Sequence, residues 1–293
     1  MVVQRHRSGG GVRGVRALAM AVVMAAAAGC AGDGGGDRAT AADARDGAVE
    51  VVRRAAAVLA GEGVASAEVS TSMETASGGT RVTIRGKGAY DFRAGSGRLT
   101  VVLPPDAAGE EEHRPITELL APGALYMMNR GAGVPADKWV RIDTTALEDG
   151  NLVTGGVTDP MAAAELLRGA GAVTYVGETD LAGVTVRHYR GTADIGRAAR
   201  LAAAPSRASL VAAAKGFRTV EVPFDAYLDG QGRLRKVRHR FSPTGEGPAA
   251  EVVSTTLLYG FGVPVTVTLP DERDIYTGEI EPGRARPDPD ESP

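Results

Sequence analysis

A hydrolase or transferase needs a nucleophile beside a base, or a metal held by clustered His, Cys, Asp and Glu. Few residues of this chain could supply either. Leaving aside His6, the histidines are His113, His188 and His239, and the one cysteine is Cys30. His113 follows Glu110-Glu111-Glu112 in a polar stretch, which reads as a solvated acidic loop and not as a ligand set. His188 sits between Arg187 and Tyr189, and His239 between Arg238 and Arg240. Both read as strand residues that are satisfied or face solvent. No G-x-S-x-G or H-E-x-x-H occurs. Gly131-Ala132-Gly133-Val134-Pro135-Ala136 has the outline of a dinucleotide loop, but Pro135 and the Trp139 segment deny it the helix that such a loop must open. The residues therefore predict no catalysis, no cofactor and no metal.

The one cysteine has a different chemistry available. Four arginines (Arg5, Arg7, Arg13, Arg16) precede the apolar run Ala17–Ala28, and Gly29-Cys30 follows. This is the order of a secretory signal. Twelve apolar residues are too few to span a bilayer, which takes about 20. Ala27-Ala28-Gly29-Cys30 resembles the lipobox of bacterial lipoproteins, with Ala27 where a larger apolar residue is usual. A sole cysteine can make no internal disulfide, and its place directly after the apolar run suits diacylation and cleavage. We expect residues 1–29 to be a signal peptide and Cys30 to carry palmitate-type chains. Two acyl chains hold a protein stably where one does not, at about 0.8 kcal/mol per buried methylene. The expected location is the extracytoplasmic face of the cell membrane.

Leaving out the four leader arginines, 29 basic groups face 36 acidic ones, a net −7. An acidic body with no basic stripe argues against nucleic acid as partner and against docking on anionic lipid by charge. Attachment to the membrane then falls to the N-terminal lipid. Four of 33 basic residues are lysine, and with the richness in Ala and Gly this suggests a GC-rich, actinobacterial source. Aromatics are 4%, so the interior must be built from Ala, Val and Leu.

Residues 30–47 read AGDGGGDRATAADARDG after the cysteine, a polar tether of roughly 20–25 Å as a coil. Ala48–Ala60 has the 3–4 spacing of an amphipathic helix through Val49, Val52, Ala56 and Leu59. Strand patterns follow. Val69, Thr71 and Met73 alternate with polar residues; after Gly78-Gly79, Val82, Ile84, Tyr90 and Phe92 share one parity. Leu99–Leu103 has one polar member and predicts a strand buried on both faces. Short strands are expected at Ile116–Leu120, Ala124–Asn129 and Trp139–Asp143. Asp159-Pro160 opens a helix, cap then proline in the first turn, that ends near Arg168. Val173–Glu178 and Val184–Arg190 predict a hairpin, and Ile195–Lys215 an Ala-rich helical insertion broken at Pro205. Val220–Leu228, the turn Asp229–Gly232 and Leu234–Phe241 predict a second hairpin. Val253, Thr255, Leu257 and Tyr259 alternate, as do Val263, Val265, Val267 and Leu269. The proline- and acid-rich stretch 277–293 predicts disorder.

These elements sum to ten to twelve antiparallel strands with two or three helices inserted. One apolar face per strand makes a single curved sheet, an α+β arrangement over residues 48–276.

Several segments, in their order, resemble the LppX/LprG lipoproteins of mycobacteria and their actinobacterial relatives, which are similar in fold to the carriers LolA and LolB. They are Lys138-Trp139-Val140; Asp159-Pro160 through Leu166-Leu167; Val176-Gly177-Glu178; Gly183-Val184 with His188-Tyr189; Tyr227-Leu228-Asp229; Gly232–Arg235; and Tyr259–Val265. The resemblance covers roughly residues 48–270 and departs from the pattern at Tyr227, where relatives often carry Trp, and at Ile195–Lys215. It implies a half-open antiparallel sheet wrapped over helices, leaving an apolar cavity for acylated lipid. Ala, Val and Met walls suit acyl chains, which need area and no directional bonding. On that basis the expected lining is Val69, Met73, Val82, Ile84, Leu99 and Val101 from the first strands, with Val222, Phe224 and Leu257 from the last. The leading expectation is a lipid carrier or sensor. The alternative is an envelope protein-interaction or signalling module of the same fold without lipid cargo, and a secreted hydrolase using His188 or His239 stands third.

Overall fold

The computed structural model describes residues 46–61, 64–77, 80–104, 114–131, 133–153, 157–244 and 250–278. Cys30, the leader, the tether, His113 with its acidic neighbours and residues 279–293 lie outside the described residues.

Eleven strands form one sheet: β1 Ser66–Ser77, β2 Thr80–Asp91, β3 Ser96–Val102, β4 Ile116–Ala121, β5 Ala124–Met128, β6 Trp139–Asp143, β7 Ala170–Leu181, β8 Val184–Asp194, β9 Glu221–Asp229, β10 Leu234–Phe241 and β11 Glu251–Tyr259. Their order is β6-β5-β4-β3-β2-β1-β11-β10-β9-β8-β7. Every neighbour pairs antiparallel. The sheet is thus two meanders, β1–β6 and β7–β11, that meet where β1 pairs with β11. The helices are α1 over residues 46–53, α2 Ala55–Leu59, α3 Pro160–Leu166, α4 Ile195–Leu201 and α5 Ala204–Ala213. The result is the half-open antiparallel sheet over a few helices that the sequence predicts.

Register fixes the faces. Val69, buried, stands opposite Gly88 and Leu258, so the inward set continues through Tyr90, Leu99, Val101, Ile116 and Leu120 on one side. On the other it runs through Val237 and Ala226. Against this side pack α1 and α2, through Val52, Ala55, Ala56 and Leu59, and α3, through Met161, Ala163 and Ala164. A second cluster joins Leu166, Ile195, Ala198, Leu210 and Phe217 to Val222, Phe241 and Val252. The helices of the insertion approach closely because alanines meet: Ala198, Ala199, Ala202 and Ala213 are all buried.

Five expectations are corrected by these contacts. Strand β3 alternates, with Leu99 and Val101 buried and Val102 exposed, because only one of its faces meets helices. In β11 the inward parity is Val252, Ser254, Thr256 and Leu258, and Leu257 lies on the outer face opposite Ser70. Residues 263–269 form no strand. The chain instead leaves β11 with the Gly262 N–H donating to Ser66 O at 2.9 Å. It ends against the sheet's far edge, where the Tyr276 N–H donates to Trp139 O at 2.8 Å and Lys138 Nζ donates to Arg273 O at 2.9 Å. Its alternation records one-sided packing without a ladder. The helical insertion breaks at Ala202-Ala203, ahead of Pro205, which sits in the first turn of α5, where its missing N–H costs nothing.

The fifth correction concerns charge. On the outward face, register sets Arg190 opposite Asp225 and Asp225 opposite Arg238. The same face carries Lys236 and Arg240 on β10, Arg85 and Lys87 on β2 and Arg98 on β3. Strand pairing therefore builds a basic band that the linear sequence hides.

Candidate functional site

At one rim of the sheet the helices stop short of the strands and leave a cavity of about 290 Å³. Its walls come from the end of α2 (Ala60), the end of β2 (Tyr90 and Phe92), the β4–β5 turn (Leu120–Ala124), the segment 144–151, the start of α3 and the start of α5. Phe92, Leu120, Ala121, Pro122, Met161, Ala162 and Pro205 make most of the surface apolar. Small residues are the cause of the space. Ala60, Ala121, Ala124, Ala162 and Ala203 stand where larger side chains would have closed it.

Polar groups gather at one part of this wall. Asp159 caps α3: its Oδ1 accepts the N–H groups of Met161 at 2.7 Å and Ala162 at 2.9 Å. This is the cap role that the Asp-Pro pair predicts. Its other oxygen, Oδ2, accepts the Tyr90 hydroxyl at 3.2 Å. Burial pushes the Asp159 carboxyl up, and the two amide hydrogen bonds and Tyr90 oppose that shift. The Tyr90 phenol is raised well above its usual range by burial and by the carboxylate beside it. Its ring also leans on Phe92, with centroids 5.2 Å apart.

Asn151 completes the group. It is 3% exposed, and its Oδ1 has no hydrogen-bond partner among the described residues. The preceding turn forces it there: Gly150 has φ +58° and Asn151 φ +65°, the left-handed region that glycine and asparagine tolerate best. A Cβ on Gly150 would lie 1.9 Å from Ser209 O on α5, so only glycine lets the loop seat against that helix. The hydroxyls of Thr144 and Ser209, 3.0 Å apart, satisfy each other across the same contact.

None of the nine residues expected to line a cavity does so. Val69, Leu99, Val101 and Phe224 come together in the main core cluster, with Ile84 half-buried against it. Met73 and Val222 belong to the second cluster. Val82 is 41% exposed near the β1–β2 turn, and Leu257 faces outward. The central strands are packed by helices, and the space lies at the rim. Two signals in the sequence point to it: the Asp149-Gly150-Asn151 turn, and Tyr90 and Phe92 closing β2.

The histidines are placed apart from this site. His188 Nε2 lies 2.7 Å from Asp225 Oδ1, and its ring stacks on Tyr227 at 4.3 Å. Burial disfavours a charged Asp225, but the hydrogen bonds from His188 and Arg190 outweigh it and hold its carboxyl below the usual range. His239 is neither satisfied nor solvent-facing, as expected of it. It is buried against Phe224 and Phe241, its Nε2 has no partner among the described residues, and burial pushes its pKa down to about 3. A base that takes a proton only near that pH is ill-suited to catalysis at neutrality. Among the described residues no cluster of His, Cys, Asp and Glu could hold a metal, and no helix is long and apolar enough to cross a membrane.

No family model and no curated protein matches the sequence. Solved structures that are similar include lipoprotein LppX of Mycobacterium tuberculosis, at 11% identity over 76% of this chain and 99% of that one, TM-score 0.43. LprF of Mycobacterium bovis is similar at 11% identity, over 77% and 97% of the two chains, TM-score 0.41. A LolA superfamily protein of Nitrosomonas europaea is similar at 12%, over 78% and 97%, TM-score 0.32. They belong to the groups that the sequence segments resemble. At these identities and scores the likenesses carry no weight for function.

Proposed function

We propose that this chain is a membrane-anchored extracytoplasmic lipoprotein that holds the hydrocarbon of an acylated lipid in the rim cavity. The observation that carries this reading is the unfilled, mainly apolar space of about 290 Å³ between β2, the β4–β5 turn, α3 and α5. Its volume is at the lower edge of the ~300–1,000 Å³ usual for ligand clefts, so it suits one chain and not several. Each methylene moved from water into such a wall contributes about 0.8 kcal/mol, and a run of about ten offers roughly 8 kcal/mol before ordering costs. The order of basic leader, apolar run and Cys30 supports anchoring by acylation, which keeps the cavity close to its ligand's bilayer.

Two measurements test the two halves. Purified Cys30→Ser protein, extracted with organic solvent and examined by mass spectrometry, is expected to yield about one acyl lipid per chain. Ala162→Phe and Ala121→Trp, which fill the cavity from different walls, are expected to come without lipid at a nearly unchanged melting temperature. Absence of lipid from the unfilled protein would remove the reading. Metabolic labelling with an alkyne palmitate analogue is expected to mark the wild-type chain and spare Cys30→Ser; equal labelling of both would place the anchor elsewhere.

A further inference from the structure

The polar part of the cavity wall is one-sided in its hydrogen-bonding needs, and from this we infer that the bound lipid presents an uncharged hydroxyl head, as in a monoacylglycerol or a long-chain alcohol, to Asp159 and Asn151. This rests on the lipid-cavity reading above and narrows it to a ligand class.

An inventory of donors and acceptors leads there. Asp159 Oδ1 already accepts two backbone N–H groups, while Oδ2 accepts the Tyr90 hydroxyl alone. A carboxylate oxygen can accept two hydrogen bonds, so Oδ2 has capacity left. Asn151 Oδ1 accepts nothing among the described residues and is withdrawn from solvent. Thr144 and Ser209 have spent their hydroxyls on each other. The wall thus offers acceptors in excess of donors, and a buried acceptor without a donor is costly. A hydroxyl supplied by the ligand fills that deficit. A carboxylate or phosphate head would bring a second anion beside Asp159 and leave Asn151 Oδ1 unanswered. The cation among the lining residues, Arg93, is exposed on the turn after β2, so an anionic head would turn toward solvent there.

Displacement of the uncharged probe N-phenyl-1-naphthylamine from the Cys30→Ser chain separates the outcomes. Monopalmitoylglycerol and hexadecanol are expected to displace it at concentrations at least tenfold below those needed for palmitate or hexadecyl phosphate. Asn151→Gly keeps the left-handed turn and removes the acceptor, and is expected to bring the ratio between monopalmitoylglycerol and palmitate close to one. Asp159→Asn retains a capping oxygen and removes the charge, and is expected to improve palmitate binding several-fold; it serves if Asn151→Gly does not fold. If palmitate displaces the probe as well as the glyceride and loses this on Arg93→Ala, the hydroxyl assignment is wrong while the lipid reading stands. If no chain-bearing compound displaces the probe, the lipid reading itself fails.

Discussion

Two buried ionisable side chains that face the helices give the protein opposite responses to pH. Glu118 stands between Leu99 and Met127 in the register, is 1% exposed, and has no hydrogen-bond partner for either oxygen among the described residues. Burial pushes its pKa up to about 8, against a weaker opposing pull from Arg130. The folded protein therefore holds a proton there that the unfolded chain gives up above about pH 4.5. Stability falls as pH rises to about 8, by up to about 1.4 kcal/mol per pH unit. His239 acts in the other sense: the unfolded chain gains a proton below about pH 6.5 that the folded protein refuses until about pH 3. Between pH 4.5 and 6.5 the two slopes cancel, so each shows best outside that window. Urea titrations of Glu118→Gln are expected to flatten the loss from pH 6.5 to 8, and those of His239→Phe the loss from pH 4.5 to 3. An unchanged slope in either variant would show that the group is hydrated. Neither could be foreseen from the sequence, because a strand reading of Ile116–Leu120 leaves the direction of Glu118 open until β3 and β5 are aligned with it.

Single elements were more legible, where a local signal existed. Asp159-Pro160 announced α3, Gly78-Gly79 the β1–β2 turn, and Asp229–Gly232 the β9–β10 turn, since caps and tight turns are chosen by residues adjacent in sequence. Face assignment in β11 went wrong because Val253 and Val252 are both buried, and an apolar residue on each parity leaves the pattern ambiguous. The cavity wall was illegible for a related reason: it joins a loop, two helix starts and a turn from distant parts of the chain. Its loop offers a stability test. Gly150→Ala meets both a positive φ and the 1.9 Å approach to Ser209 O, so it is expected to cost more than the ~1 kcal/mol of an ordinary glycine replacement and to lower probe affinity in parallel. Asp159→Ala is expected to cost about 1 kcal/mol for the lost cap, measured by urea denaturation, while Asp159→Asn costs much less.

At the scale of the whole molecule, the composition misleads about surface charge. The chain is net −3, yet Arg85, Lys87, Arg98, Lys236 and Arg238 share the outward face, and among the described residues none of them has a carboxylate partner. Retention on a sulfonate resin at pH 7.4 and low salt is therefore expected, with loss of retention in an Arg85→Glu, Lys87→Glu, Arg238→Glu triple variant. Salt should abolish the effect over the range that screens exposed charges. The sheet order was equally hidden, since alternation says which face a residue takes and nothing about which strand lies beside it. One pairing in that order has a temporal meaning. Ser66–Ser77 and Glu251–Tyr259 lie side by side, so a chain emerging from the ribosome presents an early ribbon whose second neighbour has yet to be made. Until it arrives, that ribbon is an open invitation to aggregate, and the slow step of maturation becomes the meeting of first and last rather than the growth of either half.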